Sequence, residues 1–484
     1  MNILHVSSEV APLSKTGGLG DVAGALPRAL AGLGEGRDRV AVISPAYRIE
    51  TGRWNLARRL RKVAVPLGGR THDVEVLEGR VPGGGGEVRA WLLDHEVFRR
   101  GGLYGEGGRD YPDNAFRFAL FSRAALHVPR ALGFVPDVLH AHDWQAAGTL
   151  LYAARGDLPS ARRVLTVHNL AFQGLFPVEV APVLDLGADL LHPEGIEFYG
   201  KVSLLKAGLL FAERITTVSP RYAREIQTEE YGCGLEGFLQ ARADRVVGIL
   251  NGADYEAWNP ERDPLIPAHY SAADLAGKRA CKASLAHDFH LPARPRTPLV
   301  GAVSRLTDQK GFDLVTEVLE RLLVDRDLEV VILGTGDPAI EKRLSSLAAR
   351  HPAKLAVRIG YDEALAHRIY AGSDLFVMPS RYEPCGLSQL YSLRYGTPPI
   401  VRATGGLDDT VIDYDPRSQS GNGFKFTPAT PAALDATWRR ALTAWGSDEN
   451  YPRLVRRGMQ QDFSWGASAK SYRALYDQIA RPAP

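Results

Sequence analysis

The chain has 484 residues, of which 45% are hydrophobic and 24% charged, and its formal net charge is +2. This length predicts two to four domains, and the near-neutral charge gives no reason to expect a nucleic-acid partner or a charged membrane surface. Three widely spaced cysteines, Cys233, Cys281 and Cys385, form neither a disulfide framework nor a metal-binding pair. Because no targeting segment and no apolar run of about 20 residues is visible, we expect a cytoplasmic protein without membrane contact.

Short apolar runs alternate with helical stretches along the first half of the chain, which predicts a parallel sheet covered by helices. The predicted strands are Ile3–Ser7, Val40–Ser44, Val138–His142, Val164–His168, Ile215–Ser219 and Val246–Leu250. The predicted helices include Asp21–Leu33, Asn114–Leu132 and Val202–Glu213. Val63–Asp94 alternates in hydrophobicity and contains a run of four glycines, which indicates an antiparallel insertion.

The same pattern restarts after a proline-rich stretch, so the fold class is predicted as α/β with two doubly wound domains. The second set of strands is Leu299–Ser304, Glu329–Leu333, Ala356–Ile359, Leu375–Pro379 and Pro399–Arg402. We expect an N-terminal domain over residues 1–253, a C-terminal domain over 254–460, and a C-terminal helical segment over 461–484. The amphipathic stretch Phe463–Ile479 suits packing on either domain, and we expect it on the N-terminal one.

Charged residues and paired glycines follow strand after strand in both halves. In an open parallel sheet, ligands bind beyond the carboxyl ends of the strands. If these edges face each other, the residues line one interdomain cleft. They are Lys15–Asp21, Asp143, His168 and Asn251 in the first half, and Arg305, Lys310, Glu383–Leu387 and Thr404–Gly406 in the second.

The chemistry of these residues suits an anionic ligand, although each has an ordinary structural explanation. Gly17 and Gly18 would let a backbone approach phosphate oxygens at a helix start, but paired glycines are equally typical of turns. Arg305 and Lys310 would suit a diphosphate, or lie on a solvated surface. Glu383 would hold sugar hydroxyls or balance positive charge, or serve as a helix cap.

Several other site classes find little support. No P-loop is present, and no G-x-G-x-x-G follows the first strand, which weakens a Rossmann oxidoreductase interpretation. A His-x-His pair precedes Asp143, but no third metal ligand stands at suitable spacing. The D-x-D letters at 325–327 precede their strand and therefore lie at the wrong edge. Cys385 is more typical of a small buried residue than of a nucleophile. The pattern favours a metal-independent enzyme that uses protein cations.

Six motifs in order, between Met1 and about Tyr476, resemble those of bacterial glycogen synthases and the related starch synthases. They are K-T-G-G-L, H-A-H-D-W, T-V-H-N-L-A-F-Q-G, S-R-L-T-D-Q-K-G, E-P-C-G-L-S-Q-L and T-G-G-L-D-D-T. The resemblance implies a GT-B fold, in which two Rossmann-like domains face each other across a cleft. It implies transfer of glucose from ADP-glucose to the non-reducing 4-hydroxyl of an α-1,4-glucan, with retention of configuration and without a cofactor or metal.

The resemblance also implies roles for individual residues. Lys15 and Gly18 would approach the donor diphosphate, which Arg305 and Lys310 neutralise as it departs. His168 and Asp143 would line the glucose pocket, and Glu383 would bind the sugar near the reacting carbon. The remaining substrate-binding residues are Tyr361, which stacks on adenine, Gly386 and Leu387, whose amides face the phosphates, and Asp21, Asn251, Cys385, Thr404 and Gly405.

Retention would ordinarily suggest a carboxylate nucleophile. The resemblance instead favours front-face attack, in which the leaving phosphate takes the acceptor proton. The alternatives are another GT-B transferase, using UDP-glucose or a different acceptor, and a catalytically silent glucan-binding protein. The second alternative predicts that Glu383, Arg305 or Lys310 is replaced, and all three are present.

Overall fold

The computed structural model describes residues 1–34, 36–49, 52–292 and 294–480, which form two compact units. The first unit comprises Met1–Gly252 and the chain from Trp465 onward, and the second comprises Ala253–Ser464. Within the described ranges, no helix is long and apolar enough to cross a membrane.

The first unit contains fourteen labelled strands among the described residues. They are β1 (Asn2–Val6), β2 (Arg39–Pro45), β3 (Ala57–Leu67), β4 (Arg70–Arg80), β5 (Arg89–Asp94), β6 (Gly105–Glu106), β7 (Arg109–Asp110), β8 (Val138–His142), β9 (Arg162–Val167), β10 (Leu175–Pro177), β11 (Glu197–Phe198), β12 (Lys201–Ser203), β13 (Arg214–Thr217) and β14 (Val246–Gly248). Its helices are α1 (Gly18–Leu33), α2 (Asn114–Ala131), α3 (Asp143–Tyr152), α4 (Leu204–Phe211), α5 (Pro220–Glu225) and α6 (Glu236–Gln240), followed by the last helix of the chain.

Nine of these strands form one sheet, in the order β14-β13-β9-β8-β1-β2-β5-β4-β3. The sheet is parallel from β14 to β5, and β4 pairs antiparallel with both β5 and β3. The predicted antiparallel insertion is therefore confirmed, although it begins at Ala57 rather than Val63. Small antiparallel sheets of β10, β11 and β12 and of β6 and β7 stand apart from it.

The second unit has a six-stranded, fully parallel sheet in the order β17-β16-β15-β18-β19-β20. Its strands are β15 (Leu299–Val303), β16 (Glu329–Gly334), β17 (Leu355–Ile359), β18 (Leu375–Met378), β19 (Pro399–Arg402) and β20 (Phe424–Phe426). Its helices are α7 (Ala276–Asp288), α8 (Phe312–Asp325), α9 (Pro338–Arg350), α10 (Glu363–Gly372), α11 (Ser388–Arg394), α12 (Gly405–Thr410), α13 (Pro431–Trp445) and α14 (Asn450–Gln460).

Both sheets follow the order of the Rossmann fold. Counted along the chain, the strands of the second unit lie in the order 3-2-1-4-5-6, and the order reverses between β15 and β18. In the first unit the corresponding reversal lies between β1 and β8. Ligands of such sheets bind outside the carboxyl ends of the strands at this switch point. The predicted α/β class with two doubly wound sheets is confirmed.

Apolar residues on both faces of each sheet explain these layers. Every residue of β16 is buried, as expected for a central parallel strand covered by helices on both faces. Along α8, Val315, Val318, Leu319 and Leu322 recur at helical spacing and join one core cluster with Trp438 of α13.

The last helix, α15 (Trp465–Ala480), belongs to the first unit and packs against α1. Its apolar residues Trp465, Ala469, Tyr472 and Leu475 enter the same buried cluster as Val22 and Leu26 of α1. The chain therefore returns to its first unit after completing the second.

The predicted start of one helix is wrong. The interval Val202–Glu213 begins with strand β12, and helix α4 starts only at Leu204. Ser203 is extended, and its hydroxyl accepts the Lys206 amide at 3.1 Å, so it caps the helix and separates the two elements.

Replacing Leu319 with alanine should lower the stability of the second unit by about 2–5 kcal/mol, because it leaves a cavity in a fully buried cluster. Urea unfolding monitored by tryptophan fluorescence would measure the change. Val324→Ala, at a position of the same helix that is 71% exposed, is the control and should shift the midpoint little. Equal shifts in the two variants would contradict the assigned packing of α8.

Candidate active site

The loop after β1 is shaped by a carboxylate that the sequence analysis missed. Glu9 is 3% exposed and accepts the Thr16 amide and hydroxyl, each at 2.6 Å, and the Gly17 amide at 3.2 Å. The Tyr104 hydroxyl donates to the same carboxylate at 2.6 Å. The available signal was an acidic residue that follows a buried strand after only two serines and precedes the apolar Val10. Glu9 thus holds the Lys-Thr-Gly-Gly segment as α1 begins.

The predicted ligand contacts of this loop lie on its exposed side. Lys15 is exposed, and its ammonium pairs with the Asp21 carboxylate at 2.7 Å. Gly18 is also exposed, and a Cβ built on it would meet no protein atom within 4 Å. The structure therefore brings Lys15 and Asp21 together and leaves open space over Gly18.

Asp143 and His168 follow neighbouring strands, β8 and β9, and are in direct contact. The Asp143 carboxylate accepts the His168 amide at 2.7 Å, while its own backbone adopts φ 56° at the start of α3. Burial raises the pKa of Asp143 to about 7, and hydrogen bonds from the His168 and Asn169 amides oppose that shift. His168 is half-buried, and burial lowers its pKa to about 3, so its ring is neutral at pH 7.

Three further imidazoles lie behind His168. His5 of β1 and His140 and His142 of β8 are fully buried, with ligand nitrogens within 4.8 Å of one another. The sequence showed no third ligand beside the His-x-His pair, because β1 supplies it from more than a hundred residues away. His140 is hydrogen-bonded to Tyr476 and Thr166, each at 2.6 Å, and both nitrogens of His142 are also engaged. Those nitrogens are thus committed to hydrogen bonds rather than open to a metal ion.

Asn251 follows β14 at the same edge of the first sheet. Its side chain is buried, and its Oδ1 atom has no hydrogen-bond partner among the described residues. A buried amide oxygen without a partner is unfavourable in an isolated protein. Asn251 is therefore available to a ligand hydroxyl or amine.

The second unit brings Lys310 and Glu383 together at its switch point. The Lys310 ammonium donates to Glu383 Oε2 at 2.5 Å, and the Ser380 hydroxyl donates to the same oxygen at 3.0 Å. Both side chains are largely buried, at 15% and 8% exposure. A buried ion pair of this kind is costly to break, since either partner alone would be an uncompensated charge. Lys310 follows β15 and Glu383 follows β18, so the parallel pairing of these strands places them together.

Arg305 lies on the same β15 loop and is exposed. Its guanidinium donates to Gln309 Oε1 at 3.2 Å and pairs with no carboxylate in the part of the chain that the structure describes. This cation is therefore available to an anionic ligand.

The loops after β18 and β19 interlock through backbone contacts. The Gly406 amide donates to the Glu383 carbonyl at 3.2 Å, and Gly405 has φ 44°. A Cβ on Gly405 would lie 1.9 Å from that same carbonyl, so only glycine permits this approach. Thr404 is fully buried beside it. These residues position the Glu383 turn.

The other predicted residues of the second unit lie around this turn or away from it. Cys385 is 5% exposed, as expected for a small buried residue, and Gly386 and Leu387 are half-buried just before α11. Tyr361 follows β17 and is 81% exposed, with its hydroxyl donating to Glu363 at 2.9 Å. Most of its side chain is therefore accessible to solvent.

Two Rossmann-like units, with cations at the switch point of one and a Gly-Gly loop at the switch point of the other, are typical of the GT-B class of nucleotide-sugar transferases. Family models for the starch synthase catalytic domain and for glycosyl transferases group 1 match residues 2–241 and 286–458. The chain belongs to the glycogen synthase family, together with the starch synthases.

Its relatives match it over their full length. The chain is 51% identical to a glycogen synthase of Anaeromyxobacter dehalogenans (strain 2CP-C), covering 99% of this chain and 100% of that one. It is 47% identical to the glycogen synthase of Myxococcus xanthus (strain DK1622), covering 99% of each. The catalytic domain of starch synthase IV from Arabidopsis thaliana, solved with ADP and acarbose bound, has a TM-score of 0.89 at 36% identity, with 99% of each chain covered.

The buried histidines predict a specific acid sensitivity. Burial holds the pKa values of His5, His140, His142 and His168 below those of unfolded histidine. Between about pH 6.5 and 3 the unfolded chain thus binds protons that the folded chain excludes, and stability falls as pH falls. The raised pKa of Asp143 has the opposite effect on stability. Between the unfolded and folded pKa values of Asp143, the folded chain binds the extra proton, so this group makes stability rise as pH falls.

His140→Asn should therefore make the free energy of unfolding less dependent on pH in this window, by up to ~1.4 kcal/mol per pH unit. Urea titrations at several pH values would measure the slope, whatever the absolute stability of the variant. His287→Asn, at an exposed position of α7, is the control and should keep the parent slope. Parallel slopes for the parent and His140→Asn would contradict the burial of a neutral imidazole.

Proposed function

We propose that this chain transfers glucose from ADP-glucose to the non-reducing 4-hydroxyl of an α-1,4-glucan, with retention of configuration and without a metal ion. The observation that carries the proposal is the buried Lys310–Glu383 pair beside the exposed Arg305 at the switch point of the second sheet. Support comes from the full-length relatives named glycogen synthase, and from the Arabidopsis enzyme solved with ADP and acarbose.

The leaving group is the part of the reaction that these cations would serve. Cleavage of the bond between glucose C1 and the phosphate oxygen leaves negative charge on ADP and positive charge on the sugar. Lys310 and Arg305 would stabilise the departing diphosphate, because preorganised cations act most strongly where charge develops. Glu383, fixed by Lys310 and Ser380, would face the sugar and stabilise its positive charge.

The remaining second-unit residues would bind the nucleotide. Tyr361 would stack on adenine with its exposed ring, and the Gly386 and Leu387 amides would face phosphate oxygens. Cys385, Thr404 and Gly405 would maintain the turn that presents these amides, as their burial and backbone contacts suggest.

The predicted residues of the first unit would contact the sugar and the donor phosphates. The neutral ring of His168 and the adjacent Asp143 would line the glucose pocket, and Asn251 would contact a ligand with its unpartnered oxygen. Lys15 would approach the donor phosphates from the loop above Gly18, with Asp21 orienting its ammonium.

Retention would follow from front-face attack. The bond from C1 to the acceptor 4-oxygen forms on the side that ADP leaves, and the hydroxyl proton passes to the departing phosphate oxygen. Of the two Glu383 carboxylate oxygens, Oε2 already accepts from a lysine and a serine, which lowers the nucleophilicity of that oxygen. If the donor were UDP-glucose, the chemistry at glucose C1 would be the same. Only the rates measured with the two donors distinguish these proposals.

Lys310→Ala should reduce kcat by ~10²–10³-fold or more, with a smaller effect on the KM for glycogen, because the cation acts on charge that appears during the reaction. Initial rates of ADP release would measure both constants. Lys342→Ala, which removes an exposed lysine of α9, is the matched control and should retain parent kinetics. Near-parent turnover in a folded Lys310→Ala protein would contradict the role assigned to this lysine.

Front-face attack predicts that no glucosyl-enzyme accumulates. Intact-protein mass spectrometry after incubation with ADP-(2-deoxy-2-fluoro)glucose should show only the unmodified mass. Glu383→Gln should likewise show only its own unmodified mass, with slower turnover of ADP-glucose. A stable adduct mapped to Glu383 or Asp143 would instead establish double displacement.

A further inference from the structure

Three imidazoles form a continuous hydrogen-bonded row that ends at His168. His5 Nδ1 lies 3.1 Å from His142 Nε2, and His142 Nδ1 lies 3.0 Å from His168 Nε2. His5 and His142 are fully buried, and burial depresses the pKa of each ring in the row. All three rings are consequently neutral at pH 7.

Neutrality restricts where the protons can lie. A neutral imidazole carries one N–H donor and one acceptor lone pair. A row of three rings with two hydrogen bonds between them therefore has two arrangements. Either every donor points from His168 toward His5, or every donor points from His5 toward His168.

The far end of the row selects between these arrangements. His5 Nε2 is buried and has no hydrogen-bond partner among the described residues. If the donors pointed toward His5, this nitrogen would carry a buried N–H without an acceptor. If they point toward His168, it carries only a bare lone pair. Orphaned buried donors are the rarer and costlier defect, so the second arrangement is favoured.

We propose that His142 and His5 are positioning residues that fix His168 in the tautomer protonated on Nδ1. His142 donates to His168 Nε2, which leaves Nδ1–H as the one ring donor that His168 offers to a ligand. On the proposed function, that donor meets a hydroxyl oxygen of the transferred glucose. The tautomer itself is a property of the free protein and does not rest on the proposed reaction.

The backbone of His168 is held by the neighbouring residue of the same motif. Asp143 accepts the His168 amide at 2.7 Å while His142 engages its ring. Two consecutive residues thus fix both the main chain and the ring of His168. His140, two residues earlier on β8, is equally buried but is hydrogen-bonded to Tyr476 and Thr166, so it provides a matched control.

The direct test is nitrogen-15 NMR of the ring nitrogens in histidine-labelled protein without substrate. The His168 signals are identified by their loss in His168→Asn. We expect the coupling pattern of an Nδ1-protonated ring in the parent and in His140→Asn, and loss of that preference in His142→Phe. A His168 ring protonated on Nε2 in the parent would overturn the proposal, and this result requires neither His142→Phe nor His140→Asn to fold.

Activity provides an independent readout. His142→Phe preserves the ring shape but removes the donor, and should lower kcat for glucosyl transfer about tenfold, the scale of one hydrogen bond, with little change in KM. His142→Asn, whose amide N–H stands at the position of Nδ1, should restore most of the rate. His140→Asn should retain it.

A double-mutant cycle separates positioning from a general structural effect. The asparagine in His168→Asn places an amide near the Nδ1 position and no longer needs a partner at Nε2. Adding His142→Phe to that variant should therefore cost no further activity. Additive losses, or equal losses in folded His142→Phe and His142→Asn, would overturn the proposal. If His168 has the expected tautomer but no variant catalyses transfer from ADP-glucose, the proposed function fails while the tautomer assignment stands.

Discussion

The register of the parallel strands is the constraint on which both candidate sites depend. In the first sheet, β1 pairs with β8 so that His5 lies opposite His140, and β8 pairs with β9 so that His142 lies opposite Thr166, two residues before His168. A shift by one residue would turn these side chains to the other face. In the second sheet, the β15–β18 pairing sets the Lys310 loop beside the Glu383 turn. The contacts of each site thus follow from strand pairing.

The two units stabilise their buried polar side chains in different ways. In the second unit, Lys310 and Glu383 form a close, largely buried ion pair, to which Ser380 adds a hydrogen bond. In the first unit, burial keeps His142 and His168 neutral. The Lys310 cation suits a leaving diphosphate, the Glu383 carboxylate suits the positive charge that develops on the sugar, and a neutral donor suits an uncharged hydroxyl. This division of chemistry matches a reaction that separates a sugar from a diphosphate.

The order of strands and loops could be predicted from sequence because apolar runs and the residues after them are local signals. Pro399–Arg402 was predicted with its observed bounds, and loop residues such as Lys310 and Glu383 were placed at the correct strand ends. Contacts between distant segments could not be predicted. The Glu9 carboxylate under Thr16 and the approach of His5 to His142 depend on packing. The start of α4, in contrast, had a local signal that was overlooked, since serine is a preferred N-cap residue.

Donor choice tests the central claim most directly. Initial rates of glucose incorporation into glycogen should be measured with ADP-glucose and UDP-glucose at equal concentrations, and the new linkages digested with an enzyme specific for α-1,4 bonds. We expect ADP-glucose to be strongly preferred, one ADP to be released per glucose transferred, and the added glucose to be released by the digestion. Preference for UDP-glucose, release of ADP without transfer to glycogen, or resistance of the new linkages would contradict the proposed reaction.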